Sequence, residues 1–209
     1  MLTSLPVTEY AEELASNKPA PGGGSGAALT GALGAALGEM VANFTVGKEK
    51  YAEVEAEVGA ALAKLTDLRK QLLELTDADA EAYPKVGAAY ALPRETDEQK
   101  AARAVAIEEA LKGSAEVPRR VVLRCNEVLS QLPLLLEKGN PNLVSDVGVA
   151  AKLALAAAEC AWLNVEINLA YMKDEDFISR LRAEMEESLR AAGNVSSQLW
   201  EATVQRVCK

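Results

Sequence analysis

Four sets of polar residues stand where chemistry could use them. Asn43, Lys48, Lys50 and Tyr51 follow a small-residue apolar run. Asp77 and Asp79 sit ahead of a helical segment, whose positive end would favour them. Asn140, Asn142, Ser145 and Asp146 surround a turn and a helix start, and Asn164 and Asn168 lie four apart in an alanine-rich stretch. Carboxylates can move protons, amides can both donate and accept hydrogen bonds, and lysines carry positive charge. Such groups in apolar surroundings cost free energy unless something partners them. Each set also has a plainer reading. Asp77, Ser145 and Asp146 suit helix caps, Lys48 and Lys50 suit a solvated surface, and the asparagine pair could fix a helix register. The pair is the hardest to dismiss, since two amides on one buried helix face need partners.

The run Pro19-Ala20-Pro21-Gly22-Gly23-Gly24-Ser25-Gly26 is a fifth feature. The prolines hold the incoming chain extended, and the spacing predicts that Ser25 caps a helix reaching about Thr45. A helix start with bare N–H groups is a ready anion site. The competing reading is packing: Ala27, Gly31 and Ala35, like Gly34 and Gly38, recur four apart and would let another helix approach closely. Spacing alone favours packing. No strand precedes the run and no Gly-Lys-Ser/Thr follows it, so neither a dinucleotide fingerprint nor a Walker loop is present.

Composition narrows the chemistry. The chain has 209 residues and no histidine, which removes the commonest general base and the commonest zinc ligand together. No histidine or cysteine cluster suggests a metal, and no cofactor is expected. A net charge of -9 argues against nucleic acid or an anionic membrane as partner. Cys125, Cys160 and Cys208 are widely separated and read as reduced thiols of a cytoplasmic protein, with Cys160 a small core residue. The first eighteen residues show neither a basic region nor an apolar core, so no targeting segment is expected. Gly22 to Val46 is interrupted by Glu39 and Asn43 and reads as a buried core helix, not a membrane span.

Nearly every segment has helical period. A first helix from about Thr8 would bury Ala11, Leu14 and Ala15, and Gly47 breaks the pattern after the glycine-rich helix. Val54, Val58, Leu62, Leu65, Leu68 and Leu72 form the stripe of a third. A further segment spans Asp77 to Leu92, with Pro84 a start or kink. Thr96 and Gln99 form a capping box for a helix to about Lys112; Pro118 restarts another to Glu137, with a kink at Pro133. Gly139 to Asn142 is a turn, Ser145 to Met172 a long central helix, and Asp174 to Val207 a charged last one. The expectation is one all-α domain over residues 1–209, a helical bundle around a long, buried central helix. Asp146 and Asn164 are five helical turns apart, about 27 Å in a straight helix. They cannot serve one small reacting centre in one subunit; either the ligand is long or a partner subunit supplies one of them.

Four stretches together resemble the cyclodeaminase/cyclohydrolase family of folate enzymes. They are Pro-Ala-Pro-Gly-Gly-Gly-Ser at 19–25, Gly-Lys-Glu-Lys-Tyr at 47–51, Gly-Asn-Pro-Asn-Leu-Val-Ser-Asp-Val-Gly-Val-Ala-Ala at 139–151 and Asn-Val-Glu-Ile-Asn-Leu at 164–169. Gly26 and Glu49 are slight departures. The resemblance implies an all-helical homodimer that binds reduced folate, polyglutamylated in some forms, near its subunit interface. It implies either hydrolysis of 5,10-methenyltetrahydrofolate to 10-formyltetrahydrofolate or ring closure of 5-formiminotetrahydrofolate with loss of ammonia. Both pass through a tetrahedral carbon between N5 and N10. On that basis Asp79 or Asp146 moves the proton, and Asn142, Asn164 and Asn168 orient water, pterin edge or leaving nitrogen. Lys48 and Lys50 meet the glutamate tail, Gly22, Gly23, Gly24 and Ser25 offer backbone donors, and Tyr51, Asn140 and Ser145 complete the binding set. A helical folate-binding or scaffold protein without catalysis is the alternative of another class.

Overall fold

Small residues spaced three and four apart decide how closely the helices of this chain lie. The computed structural model describes residues 1–208. Its helices are α1 (Val7–Ala15), α2 (Gly23–Asn43), α3 (Glu55–Tyr90), α4 (Asp97–Lys138), α5 (Val144–Leu169) and α6 (Glu175–Val207), with short 3-10 turns at Leu2–Ser4, Glu49–Val54 and Pro141–Leu143. No strand occurs among the described residues, so the all-α expectation holds. α2 packs on α3, α4 and α5, and α5 packs on α2, α4 and α6. One continuous apolar core joins α2 through α6.

Gly34 sets the closest approach. A Cβ there would lie 3.1 Å from the Ala150 carbonyl oxygen and 3.2 Å from the Ala154 amide nitrogen, both backbone atoms of α5. Backbone cannot swing aside as a side chain can, so the packing reading of the small-residue stripe is correct at this position. Gly34→Val is expected to push the two helices apart and cost about 1–3 kcal/mol. A urea midpoint equal to that of the parent would show slack in the joint that the geometry denies. α2 is long and apolar enough by composition to cross a membrane, yet eleven of its residues are buried within the bundle. Glu39, which interrupts its apolar run, pairs with Arg69 of α3 at 2.5 Å.

Several boundaries differ from expectation. Asp77 and Asp79 lie inside α3, which runs unbroken through Pro84, and not at a helix start. α4 likewise runs unbroken through Pro118 and Pro133. An interior proline costs about 3 kcal/mol; here Leu111, Ala115, Val121 and Val122 around Pro118, and Val128, Leu129, Leu132, Leu135 and Leu136 around Pro133, all buried, hold the helix on both sides of each. The Thr96–Gln99 capping box forms as read. α1 buries Tyr10 in place of Ala11, Leu14 and Ala15, which are exposed. Gly22, not Ser25, caps α2.

Cys160 is exposed, and Cys125 is the buried thiol. Burial pushes the Cys125 thiol up to about 12, consistent with packing and not reactivity. Cys160 falls on a face of α5 where Val149, Leu163 and Ile167 are also exposed, opposite the buried Ala154, Ala157, Ala158 and Ala161. Composition could not separate the two faces, because both are apolar.

Candidate active site

Asp79 rests against the first turn of α2. A Cβ on Gly24 would fall 2.6 Å from Asp79 Cγ, so only glycine leaves room for the carboxyl there. The carboxyl lies beside the Ser25 backbone N–H, which favours its charged form and is one of the amides that a helix's first turn leaves without an intrahelical partner. Burial raises the carboxyl above its ordinary value and the Ser25 amide lowers it; burial is the larger effect, so the group sits above 3.8. The helix start therefore faces a carboxyl group of the protein's own.

The Ser25 hydroxyl points elsewhere. It donates to the Thr76 carbonyl at 2.9 Å and lies 3.1 Å from the Tyr10 hydroxyl. Gly24 and Ser25 thus stand behind the wall of the cleft, while Gly22 and Gly23 line it. The cleft is about 640 Å³ and is completed by Pro19 and Ala20, by Asp79, Tyr83, Val86, Gly87 and Tyr90 of α3, by Leu111 and Ser114 of α4, by Asn164, Ile167 and Asn168 of α5, and by Tyr171. Among the described residues lining it, Asp79 is the only one bearing a carboxyl or an amine.

Asn164 Nδ2 donates to the Cys160 carbonyl at 2.9 Å, and Asn168 Nδ2 donates to the Asn164 carbonyl at 2.7 Å. A carbonyl can only accept, so both amide orientations are fixed. The pair does not lock another helix in register: each bonds back to its own helix and offers its Oδ1 as an acceptor.

The other predicted residues gather at the far end of α2 and α5. Gly47, with φ of 71°, turns the chain after α2. Lys48 and Lys50 are exposed; Lys50 Nζ stands 4.6 Å from the centroid of the Tyr51 ring, and the Tyr51 hydroxyl is buried without a hydrogen-bond partner. Asn140 N–H donates to Thr45 Oγ1 at 3.0 Å, and Asn140 Oδ1 accepts from Asn142 N–H at 3.1 Å. Ser145 and Asp146 lie in the first turn of α5, which has no side-chain cap, so neither is its N-cap. Along α5, Asp146 and Asn164 are separated by about 27 Å. Of the four residues expected to be catalytic, one chain brings together Asp79 and Asn164 and keeps Asn142 and Asp146 apart from them.

A family model described as formiminotransferase-cyclodeaminase matches residues 6–187. The chain belongs to the formiminotransferase-cyclodeaminase family. It is 42% identical over 201 residues to the methenyltetrahydrofolate cyclohydrolase of Methylorubrum extorquens, covering 96% of this chain and 97% of that protein. With the formimidoyltransferase-cyclodeaminase of Gallus gallus it shares 35% identity over 84% of its own length but only 32% of that longer protein. The crystal structure of formiminotetrahydrofolate cyclodeaminase from Thermotoga maritima matches with a TM-score of 0.81 and 32% identity, covering 99% of this chain and 98% of that one. The span matched by the formiminotransferase-cyclodeaminase family model contains the whole cleft and the whole far-end group.

Three of the five tyrosines, Tyr83, Tyr90 and Tyr171, line the cleft of this family member and were absent from the sequence-derived set. A signal existed. Asp79, Tyr83, Val86 and Tyr90 are spaced four, three and four apart, which puts them on one face of a helix. Breaking the segment at Pro84 hid that face.

Proposed function

We propose that this chain is an enzyme of folate one-carbon metabolism that hydrolyses 5,10-methenyltetrahydrofolate to 10-formyltetrahydrofolate. The observation that carries this reading is the cleft's chemistry: one carboxyl, two amide-bearing side chains and three tyrosine rings. The methenyl group is flat and positively charged across N5, carbon and N10. A carboxylate and aromatic faces stabilise such a cation. The end-to-end match to a cyclohydrolase supports the choice of reaction.

In this reading Asp79 takes a proton from water as the water oxygen bonds to the methenyl carbon. It returns that proton to N5 as the carbon–N5 bond breaks. The hydroxyl proton leaves to solvent as the formyl C=O forms on N10, so one water is consumed and one proton released. Asn164 and Asn168 orient the water and the pterin edge through their Oδ1 acceptors. Cyclodeamination of 5-formiminotetrahydrofolate is the second reading, favoured by the match to the Thermotoga maritima cyclodeaminase; it needs the same carbon and the same carboxyl. Spectrophotometry with both folates decides. Loss of methenyl absorbance marks the hydrolase, gain marks the deaminase, and tight binding with neither leaves a folate-binding protein.

The far-end residues join the site in a homodimer. Leu33 of α2 and Val149, Leu163 and Ile167 of α5 are exposed apolar side chains, and a two-fold antiparallel pairing of that face sets the far end of each copy against the other's cleft. Lys48 and Lys50 then meet the glutamate tail, which the cleft itself has no cation to hold, and Asn140, Asn142, Ser145 and Asp146 line the approach. Lys48→Ala/Lys50→Ala is expected to raise KM for a polyglutamylated folate roughly tenfold, the scale of about 1.4 kcal/mol. Mixing that variant with Asp79→Asn protomers restores one intact site per heterodimer. An unchanged KM removes the tail assignment, and no recovery on mixing removes the shared site.

A further inference from the structure

α1 is a nine-residue helix with one buried residue, Tyr10. Its hydroxyl reaches Ser25 Oγ at 3.1 Å, and Ser25 Oγ reaches the Thr76 carbonyl at 2.9 Å. Ser25 and Thr76 are fully buried. The direction of this chain is determined. A carbonyl can only accept, so the Ser25 hydroxyl spends its one hydrogen on Thr76, and Tyr10 must donate to Ser25. The Thr76 hydroxyl is committed to the Leu72 carbonyl at 3.0 Å and takes no part. Three helices are thus tied at one point, next to Gly24, against which the Asp79 carboxyl lies, and the Ser25 backbone N–H there favours the charged form of that carboxyl. Thr76 and Asp79 are three residues apart on α3 and share a face.

We infer that Tyr10 and the Ser25 hydroxyl are positioning residues for Asp79: the hydroxyl chain pins the first turn of α2 to α3 and keeps the Ser25 N–H on the Asp79 carboxylate. This rests on the reading of Asp79 as the proton-transfer group. Neither hydroxyl lines the cleft, so their effect is exerted through Asp79. Around Asp79 the ionisable groups are Tyr10 from α1, Asp77 and Tyr83 and Tyr90 from α3, and Tyr171 after α5. The facing cleft residues of α2, α4 and α5 carry no charge. Burial outweighs the lowering effect of the Ser25 hydrogen bond and, with Asp79 and Asp77 nearby, raises the Tyr10 hydroxyl above 10.0, so it stays protonated and remains a donor at neutral pH.

The test is a pair of variants, Tyr10→Phe and Ser25→Ala, each followed by the pH profile of kcat/KM and by the titration of the Asp79 side-chain carboxyl carbon in the free enzyme by NMR. Loosening the amide removes stabilisation of the charged form. The acid limb and the NMR midpoint are therefore expected to move up together by about one pH unit, the scale of one weakened charge-assisted hydrogen bond. KM stays near the parent value. Midpoints unchanged in both variants overturn the inference, even where the melting temperature falls, because a merely structural role predicts that pattern. The NMR midpoint tests the positioning separately from catalysis. A moved midpoint with Asp79→Asn fully active would sink the proton-transfer reading and keep the positioning; an unmoved midpoint with Asp79→Asn inactive would do the reverse.

Discussion

Asp79→Asn is expected to lower turnover by about 10²–10⁴-fold, the usual contribution of a positioned acid–base group, without destabilising the fold at neutral pH. The second half of that statement follows from burial. In the folded chain the Asp79 carboxyl is raised above 3.8, because desolvation outweighs the Ser25 amide. The unfolded chain loses this proton first as pH rises. Stability linked to the group is fully present below the unfolded value and is lost as pH climbs through the folded one. At neutral pH the carboxylate is therefore a cost to the fold. Asparagine keeps an oxygen for the Ser25 N–H and carries no charge, so the melting temperature is expected to stay level or rise. In the parent enzyme the acid limb of kcat/KM is expected above 3.8 and that of kcat lower, since a bound methenyl cation would favour the carboxylate. Turnover near the parent value in Asp79→Asn would defeat the assignment.

Gly24→Ala is expected to cut kcat/KM by about 10²-fold, on the scale of a catalytic group displaced by an ångström. The new methyl would lie 2.6 Å from Asp79 Cγ and 2.8 Å from Oδ2, so the carboxyl must swing off the Ser25 amide. A side-chain rotation is a small strain, and alanine is the better helix former by about 1 kcal/mol, so the melting temperature changes little. Because the loss acts through Asp79, Gly24→Ala added to Asp79→Asn is expected to cost little more than Asp79→Asn alone. Full additivity in that cycle would mean the glycine serves something other than the carboxyl.

Helical period, the capping box at Thr96, the Gly139–Asn142 turn and the length of α5 were legible in the sequence because each is set by near neighbours. The site was half legible. Asp79, Asn164 and Asn168 stand out as polar residues in apolar context, and the fold brings all three to one cleft. The prolines misled, because whether an interior proline ends a helix depends on what packs beside it, and that is a tertiary fact. Ser25 misled for a related reason. A serine after glycines suits a cap, and only the buried Thr76 carbonyl and Tyr10 hydroxyl turn it inward. Cys160 shows the limit of apolar composition: it reports that a residue tolerates burial, not which face is covered.

The contact at Gly34 has a mechanical consequence. Where two backbones touch, no rotamer is available to absorb relative motion, so α2 and α5 move as one body. The corner of the cleft formed by Gly23 and Asn164, 3.5 Å apart measured from the position a Cβ would take, is its stiff jaw. The opposing jaw is α3 from Tyr83 to Tyr90, where Pro84 deletes a backbone hydrogen bond and most side chains are exposed. Compliance in this site is thus unequally shared: the glycine-rich end fixes the position of the carboxylate, and the tyrosine-bearing end has the freedom to follow the shape of whatever enters.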